Sequence, residues 1–156
     1  KYAQALGMKV LCYDPIRNID EMRATGAEPV QLEDIYAKAD IITFHVPLIP
    51  ETKHMVNDET FAKMKDGVLL VNVARGGIIE ETALLRALES GKVAGAALDV
   101  YEKEPPVDWT IAEHPKVIAV PHVGGQTEEA QLRVAGDIAS EVMNILQGNP
   151  LRWKIC

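Results

Sequence analysis

The sequence predicts an α/β domain built on a doubly wound parallel sheet, and three observations carry that prediction. Short β-rich apolar runs alternate with helical patterns along the chain, the signature of repeated βα units. None of the runs alternates cleanly between polar and apolar residues, as expected of strands covered on both faces by helices. Most of the helical patterns end at a glycine, the usual left-handed stop. At 156 residues and 47% apolar composition the chain can bury a core without the help of disulfides or metal.

In chain order, residues 1–6 read as a short amphipathic helix rather than a basic stretch followed by an apolar signal core. The first strand is expected at 9–13 (KVLCY), followed by a helix over 19–25 that stops at Gly26 and another over 32–38. A strand at 40–46 (DIITFHV), a helix over 58–64 before Gly67 and a strand at 68–74 (VLLVNVA) follow. The pattern continues with a helix over 80–90 ending at Gly91 and strands at 93–100 (VAGAALDV) and 117–120 (VIAV). The last helix is expected over 127–147, with Glu128 and Glu129 complementing its dipole and Gly148 ending it. Its length of about 30 Å suits either a crossing to another domain or a long surface helix.

Composition excludes several classes of function. A net charge of -7 with no clustered Lys and Arg argues against binding a phosphate backbone, so nucleic acid is not an expected partner. The longest apolar stretches, 67–71 and 93–98, fall far short of the roughly 20 residues of a membrane span. Cys12 and Cys156 are the only cysteines, without CxxC or a His pair at ligand spacing, so the expectation is no metal and a reducing cytoplasm.

In open α/β sheets ligands bind beyond the carboxyl ends of the strands. Five predicted strand ends carry polar residues: Asp14, His45, Arg75, Asp99 and His122. A carboxylate at the position of Asp14 accepts bonds from both ribose hydroxyls of a dinucleotide and repels a 2′-phosphate, favouring NAD over NADP; equally, Asp-Pro can simply start a turn. The expected glycine loop, roughly 20 residues upstream of that carboxylate, falls before residue 1. Arg75, followed by Gly76 and Gly77, presents a planar fork suited to a substrate carboxylate or, more plainly, to an ion pair with a neighbour. Glu104 precedes Pro105 and Pro106, whose stiffness would let its carboxylate orient an imidazole. His122 follows a strand and precedes Gly124 and Gly125; an imidazole there can deliver the proton that reduction of a keto acid requires. His45, His54 and His114 read as packing or capping residues.

These motifs in series carry a family resemblance. DP at 14–15, HVPL at 45–48, VNVARGGIIEETALLRAL at 71–88, AALDVYEKEPP at 96–106 and PHVGGQTEEAQ at 121–131 resemble the D-isomer-specific 2-hydroxyacid dehydrogenases over essentially the whole chain. Within the family, GGQTEEAQ most resembles the members that act on 3-phosphoglycerate in serine biosynthesis. The resemblance implies a Rossmann-type cofactor domain, NAD as cofactor, a small 2-hydroxy or 2-keto acid substrate and a homodimer. Arg75 would bind the substrate carboxylate, His122 would exchange the proton with the substrate oxygen, and Glu104 would partner His122. Asp14 would hold the adenosine ribose, and Val46, Val73 and Ala74 would line the cofactor. Asp99 and the segment His122, Val123, Gly124 and Gly125 would lie near the nicotinamide.

The family's glycine-rich loop and second domain are not in this sequence. The expectation is therefore a nucleotide-binding domain over 1–149, incomplete at its N-terminal βα unit, with a tail over 150–156 leading toward a substrate domain. A catalytically inactive nucleotide-sensing or dimerisation module is the alternative from a different class. A flavodoxin-like or receiver-type domain is a third reading, weakened because the acidic pair expected beside Asp14 is missing.

Overall fold

Local chemistry ends the helices where the sequence places their caps. The computed structural model describes residues 1–153 and divides the chain into two units, residues 1–121 and residues from 122 onward. In the first unit, helix α1 (Tyr2–Ala5) leads into strand β1 (Leu11–Cys12). Helix α2 (Ile19–Ala24) begins at Asn18, whose side chain accepts the Asp20 N–H, and the chain leaves it through Gly26 at φ 82°. Strand β2 (Glu28–Pro29) and helix α3 (Leu32–Lys38) follow. Strand β3 (Ile41–Phe44) precedes helix α4 (Asp58–Lys63), which opens with a reciprocal Asn57–Thr60 capping box. Strand β4 (Val68–Asn72), helix α5 (Glu81–Ser90), strand β5 (Val93–Leu98) and strand β6 (Val117–Ala119) complete the unit, and α5 stops at Gly91 with φ 80°.

All strand pairs are parallel, and they form two ladders. One joins β1 to β2, the other runs in the order β3-β4-β5-β6. β2 is absent from the sequence reading because two residues, one of them proline, carry no periodic signal. The main core forms where α3, α4 and α5 meet the larger sheet. Tyr36, Phe61, Leu84 and Leu88 share one apolar cluster with Ile42, Phe44, Val68 and Leu70. Each such fully buried aliphatic or aromatic side chain contributes about 1.5–3 kcal/mol relative to exposure.

Burial on both faces of the strands, as the unbroken apolar runs suggested, is not what the structure shows. β3 and β4 alternate between buried and accessible positions, with Ile41 and Leu69 on the accessible side at 42% and 41% exposure. The covered face is the one on which the α3–α5 side chains cluster, and an apolar run reads the same whether one face or two are covered.

The second unit begins with a turn in which Gln126 N donates to Val123 O, followed by helix α6 (Glu128–Gln147). Thr127 caps its start by accepting the Ala130 N–H, and Gly148, at φ 69°, ends it. Arg152 N donates to Glu141 Oε2, and Trp153 joins Val134, Ile138, Val142 and Ile145 in lining a groove of about 410 Å³ along α6. Cys156, the end of the expected tail, lies outside the described residues. Among the described residues no helix is long and apolar enough to cross a membrane.

Candidate active site

The carboxyl ends of β3 and β4 frame a cleft of about 340 Å³ lined by His45, Val46, Pro47, Val73, Ala74 and Arg75. Both strands stop before these residues, at Phe44 and Asn72, so the lining belongs to the loops that leave the sheet edge. Four of the residues singled out from the sequence, Val46, Val73, Ala74 and Arg75, are therefore brought together. His45 joins them, its Nε2 3.0 Å from Thr43 Oγ1.

Asn72 shapes this loop from below. It is 2% exposed, and in its place at the end of β4 its amide donates to Arg75 O at 3.0 Å while its carbonyl oxygen accepts the Ala74 N–H at 3.1 Å. The turn that presents Arg75 is thus fastened at both ends by one buried side chain. The Arg75 guanidinium donates to Ala74 O at 2.6 Å, which leaves most of its five N–H donors for other acceptors.

Gly76 brings a second loop against this one. A Cβ at Gly76 would lie 1.7 Å from Tyr101 O, so only a residue without a side chain lets the two backbones meet. Tyr101 in turn donates its N–H to Glu104 Oε1 at 3.0 Å. Its own ring is buried, with the hydroxyl 3.2 Å from Val120 O, and burial raises the phenol pKa, Asp99 acting in the same direction. Asp99 itself is 2% exposed at the end of β5. The Arg75 loop and the Glu104 loop therefore form one packed assembly within the first unit.

Asp14 follows β1 and its Oδ1 accepts the N–H groups of Ile16 at 2.9 Å and Arg17 at 3.2 Å. The turn-starting role is present, and the second oxygen, Oδ2, faces the Arg17 guanidinium with Nε at 3.7 Å, although a carboxylate with about four lone-pair sites can accept further bonds. His122, Val123, Gly124 and Gly125 belong to the second unit, in the turn ahead of α6, with His122 at φ 53°. Among the described residues no group of His, Cys, Asp and Glu side chains could hold a metal ion.

Residues 1–124 match the family model described as D-isomer specific 2-hydroxyacid dehydrogenase, NAD binding domain. The chain belongs to this family. The D-3-phosphoglycerate dehydrogenase of Bacillus subtilis is 52% identical over 149 residues, 96% of this chain but 28% of that protein. The human D-3-phosphoglycerate dehydrogenase is 47% identical over 148 residues, again covering 28% of its length, so the chain spans somewhat over a quarter of these relatives. Among solved structures, a glyoxylate reductase from Paecilomyes thermophila superposes with a TM-score of 0.92 at 35% identity, covering 99% of this chain and 47% of that one. A D-lactate dehydrogenase from Aquifex aeolicus complexed with NAD and lactic acid superposes with a TM-score of 0.86 at 33% identity, covering 95% of this chain and 49% of that one.

The strand ends of this dehydrogenase domain fit a dinucleotide. The cleft walls at Val46, Val73 and Ala74 are small and apolar, as a flat ring requires, and the Asp14 carboxylate, paired with Arg17, lies just beyond β1. Two further residues shape the cleft. His45, which the sequence places at a strand end but which reads there as a packing or capping residue, lines the cleft. Asn72 was hidden inside VLLVNVA, where a lone amide in an apolar run marks a buried polar group needing partners.

Proposed function

We propose that this chain is the cofactor-binding part of an NAD-dependent D-2-hydroxyacid dehydrogenase acting on 3-phosphoglycerate or a closely similar hydroxy acid, in a cytoplasmic homodimer. The observation that supports it most is the cleft at the β3 and β4 ends, where a guanidinium stands beside small apolar walls in a loop pinned by buried Asn72. In this reading Asp14 accepts bonds from the adenosine ribose, while Val46, Val73 and Ala74 contact the cofactor through apolar groups and backbone. Asp99, Val123, Gly124 and Gly125 approach its nicotinamide end. NADH held by these residues would supply the hydride.

The chain's own residues supply charge and protons. Arg75 takes the substrate carboxylate in a bidentate fork, fixing the carbonyl's position. His122, protonated, donates its proton to the carbonyl oxygen as that oxygen gains charge, and in the reverse direction takes it from the hydroxyl. Glu104 accepts a hydrogen bond from the imidazole and holds it in the donating orientation. The reading requires Arg75, Glu104 and His122 to meet around one carbonyl.

The test is steady-state kinetics on the full-length protein with 3-phosphoglycerate and NAD. His122→Ala lowers kcat by on the order of a hundredfold or more, the range of a lost general acid–base group. Arg75→Ala chiefly raises KM for the hydroxy acid. Wild-type kinetics in both variants refutes the assignment, and tight NADH binding without any turnover in the wild-type protein supports the nucleotide-sensing alternative instead.

A further inference from the structure

We propose that Glu102, clasped to Glu81 and tied to His54, is a positioning residue that holds the Glu104 loop in register with the Arg75 loop; this rests on the dehydrogenase reading above. The start of α5 carries the observation. Its N-cap residue, Glu80, makes no side-chain cap, so the first N–H groups of the helix need another acceptor. Glu102, from the loop after β5, provides one: its Oε1 accepts the Glu81 N–H at 3.0 Å. Glu81 answers by accepting the Glu102 N–H at 2.7 Å, so the two residues cap each other's backbone across 21 positions of sequence.

A third loop joins at the same atom. His54 Nε2 lies 3.2 Å from Glu102 Oε1, and the His54 N–H donates at 2.7 Å to Gly77 O, two residues beyond Arg75. His54 holds φ 51°, a conformation that non-glycine residues seldom adopt, and Asn57 Nδ2 donates to its carbonyl at 3.0 Å. From Gly77 through His54 to Glu102 there is thus a continuous chain of polar contacts, and Gly76 closes the circuit by packing on Tyr101 O.

The arrangement costs something to keep. Each carboxylate is held against the other residue's backbone N–H, and burial raises the Glu81 pKa, with the Glu102 N–H opposing and the Glu102 charge adding to the rise. A loop needing only to be covered would be fastened more cheaply by an amide or hydroxyl. The benefit lies in geometry: Glu102 is two residues from Glu104, and Gly77 two residues from Arg75. The clasp therefore sets the distance between the carboxylate that orients the proton donor and the guanidinium that holds the substrate. Displacements of about 1 Å at such groups cost on the order of a hundredfold in rate.

The experiment compares Glu102→Ala, Glu102→Gln and His54→Ala with His122→Ala in the full-length protein, measuring kcat, NADH affinity by fluorescence titration and the thermal unfolding midpoint. Glu102→Ala is expected to lower kcat by on the order of ten- to a hundredfold with NADH affinity unchanged. Glu102→Gln, which keeps an oxygen for both donors, recovers most of the loss, and His54→Ala shows a smaller loss in the same direction. NADH affinity falling in step with kcat would mean general disruption and overturn the proposal. If Glu102→Ala does not fold, His54→Ala decides: wild-type turnover there is fatal. An inactive His122→Ala beside a fully active Glu102→Ala removes only the positioning role, whereas an active His122→Ala removes the dehydrogenase reading beneath it.

Discussion

Replacing Gly76 by alanine tests the packing of the two site loops with a single methyl group. The new Cβ would stand 1.7 Å from Tyr101 O, 2.2 Å from Tyr101 C and 2.9 Å from Glu102 N. Ordinary contact between a carbon and a carbonyl oxygen begins near 3.3 Å, so the loops must part by about 1.5 Å. All three obstructing atoms are backbone, so no rotamer change relieves the clash. Overpacking of this kind costs about 1–3 kcal/mol, and an unyielding neighbour places Gly76→Ala at the upper end. For a domain of this size that corresponds to a fall in Tm of roughly 6–12 °C. Gly91→Ala is the internal control. Gly91 has φ 80° with nothing within 4 Å of its added Cβ, so alanine there incurs only the left-handed backbone penalty of about 1–2 kcal/mol. Circular dichroism melts of both variants give the comparison. A Gly76→Ala protein that melts with the wild type, or above Gly91→Ala, refutes the close approach of the Arg75 and Tyr101 loops and the circuit built on it.

Two further outcomes follow from buried polar groups. Burial, aided by the Glu33 charge, pushes the Tyr36 phenol up to about 12 from its ordinary 10.0. A raised pKa favours the neutral phenol in the folded state, so the stability is complete below pH 10 and lost as pH rises through about 12, amounting to roughly 2–3 kcal/mol. Urea titrations should show the gap between wild type and Tyr36→Phe changing by that amount between pH 9 and 12; a constant gap contradicts the burial argument. Asn72→Ala strips the Ala74 N–H and the Arg75 carbonyl of their buried partner, with an expected cost of about 1–3 kcal/mol in urea unfolding and a weaker hold on substrate carboxylate. A change below about 0.5 kcal/mol would show that the loop keeps its shape without the amide.

What the sequence determined by itself was everything governed by short-range chemistry. Gly26, Gly91 and Gly148 end their helices at positive φ as the sequence placed them, because such a stop needs only neighbours within a few residues. The strand runs were legible for the same reason, and so were the positions of Arg75 and Asp99 just beyond them. The tertiary structure alone decided which strand faces are covered, the pairing of the two-residue β2 with β1, and the role of Asn72. It also decided the meeting of Gly76 with Tyr101 and of Glu81 with Glu102. The Gly76–Tyr101 and Glu81–Glu102 contacts join residues more than 20 positions apart, and no periodicity or spacing encodes which distant backbone amide a carboxylate will find. They exist only once the parallel ladder has stacked the loops of successive strands along one edge.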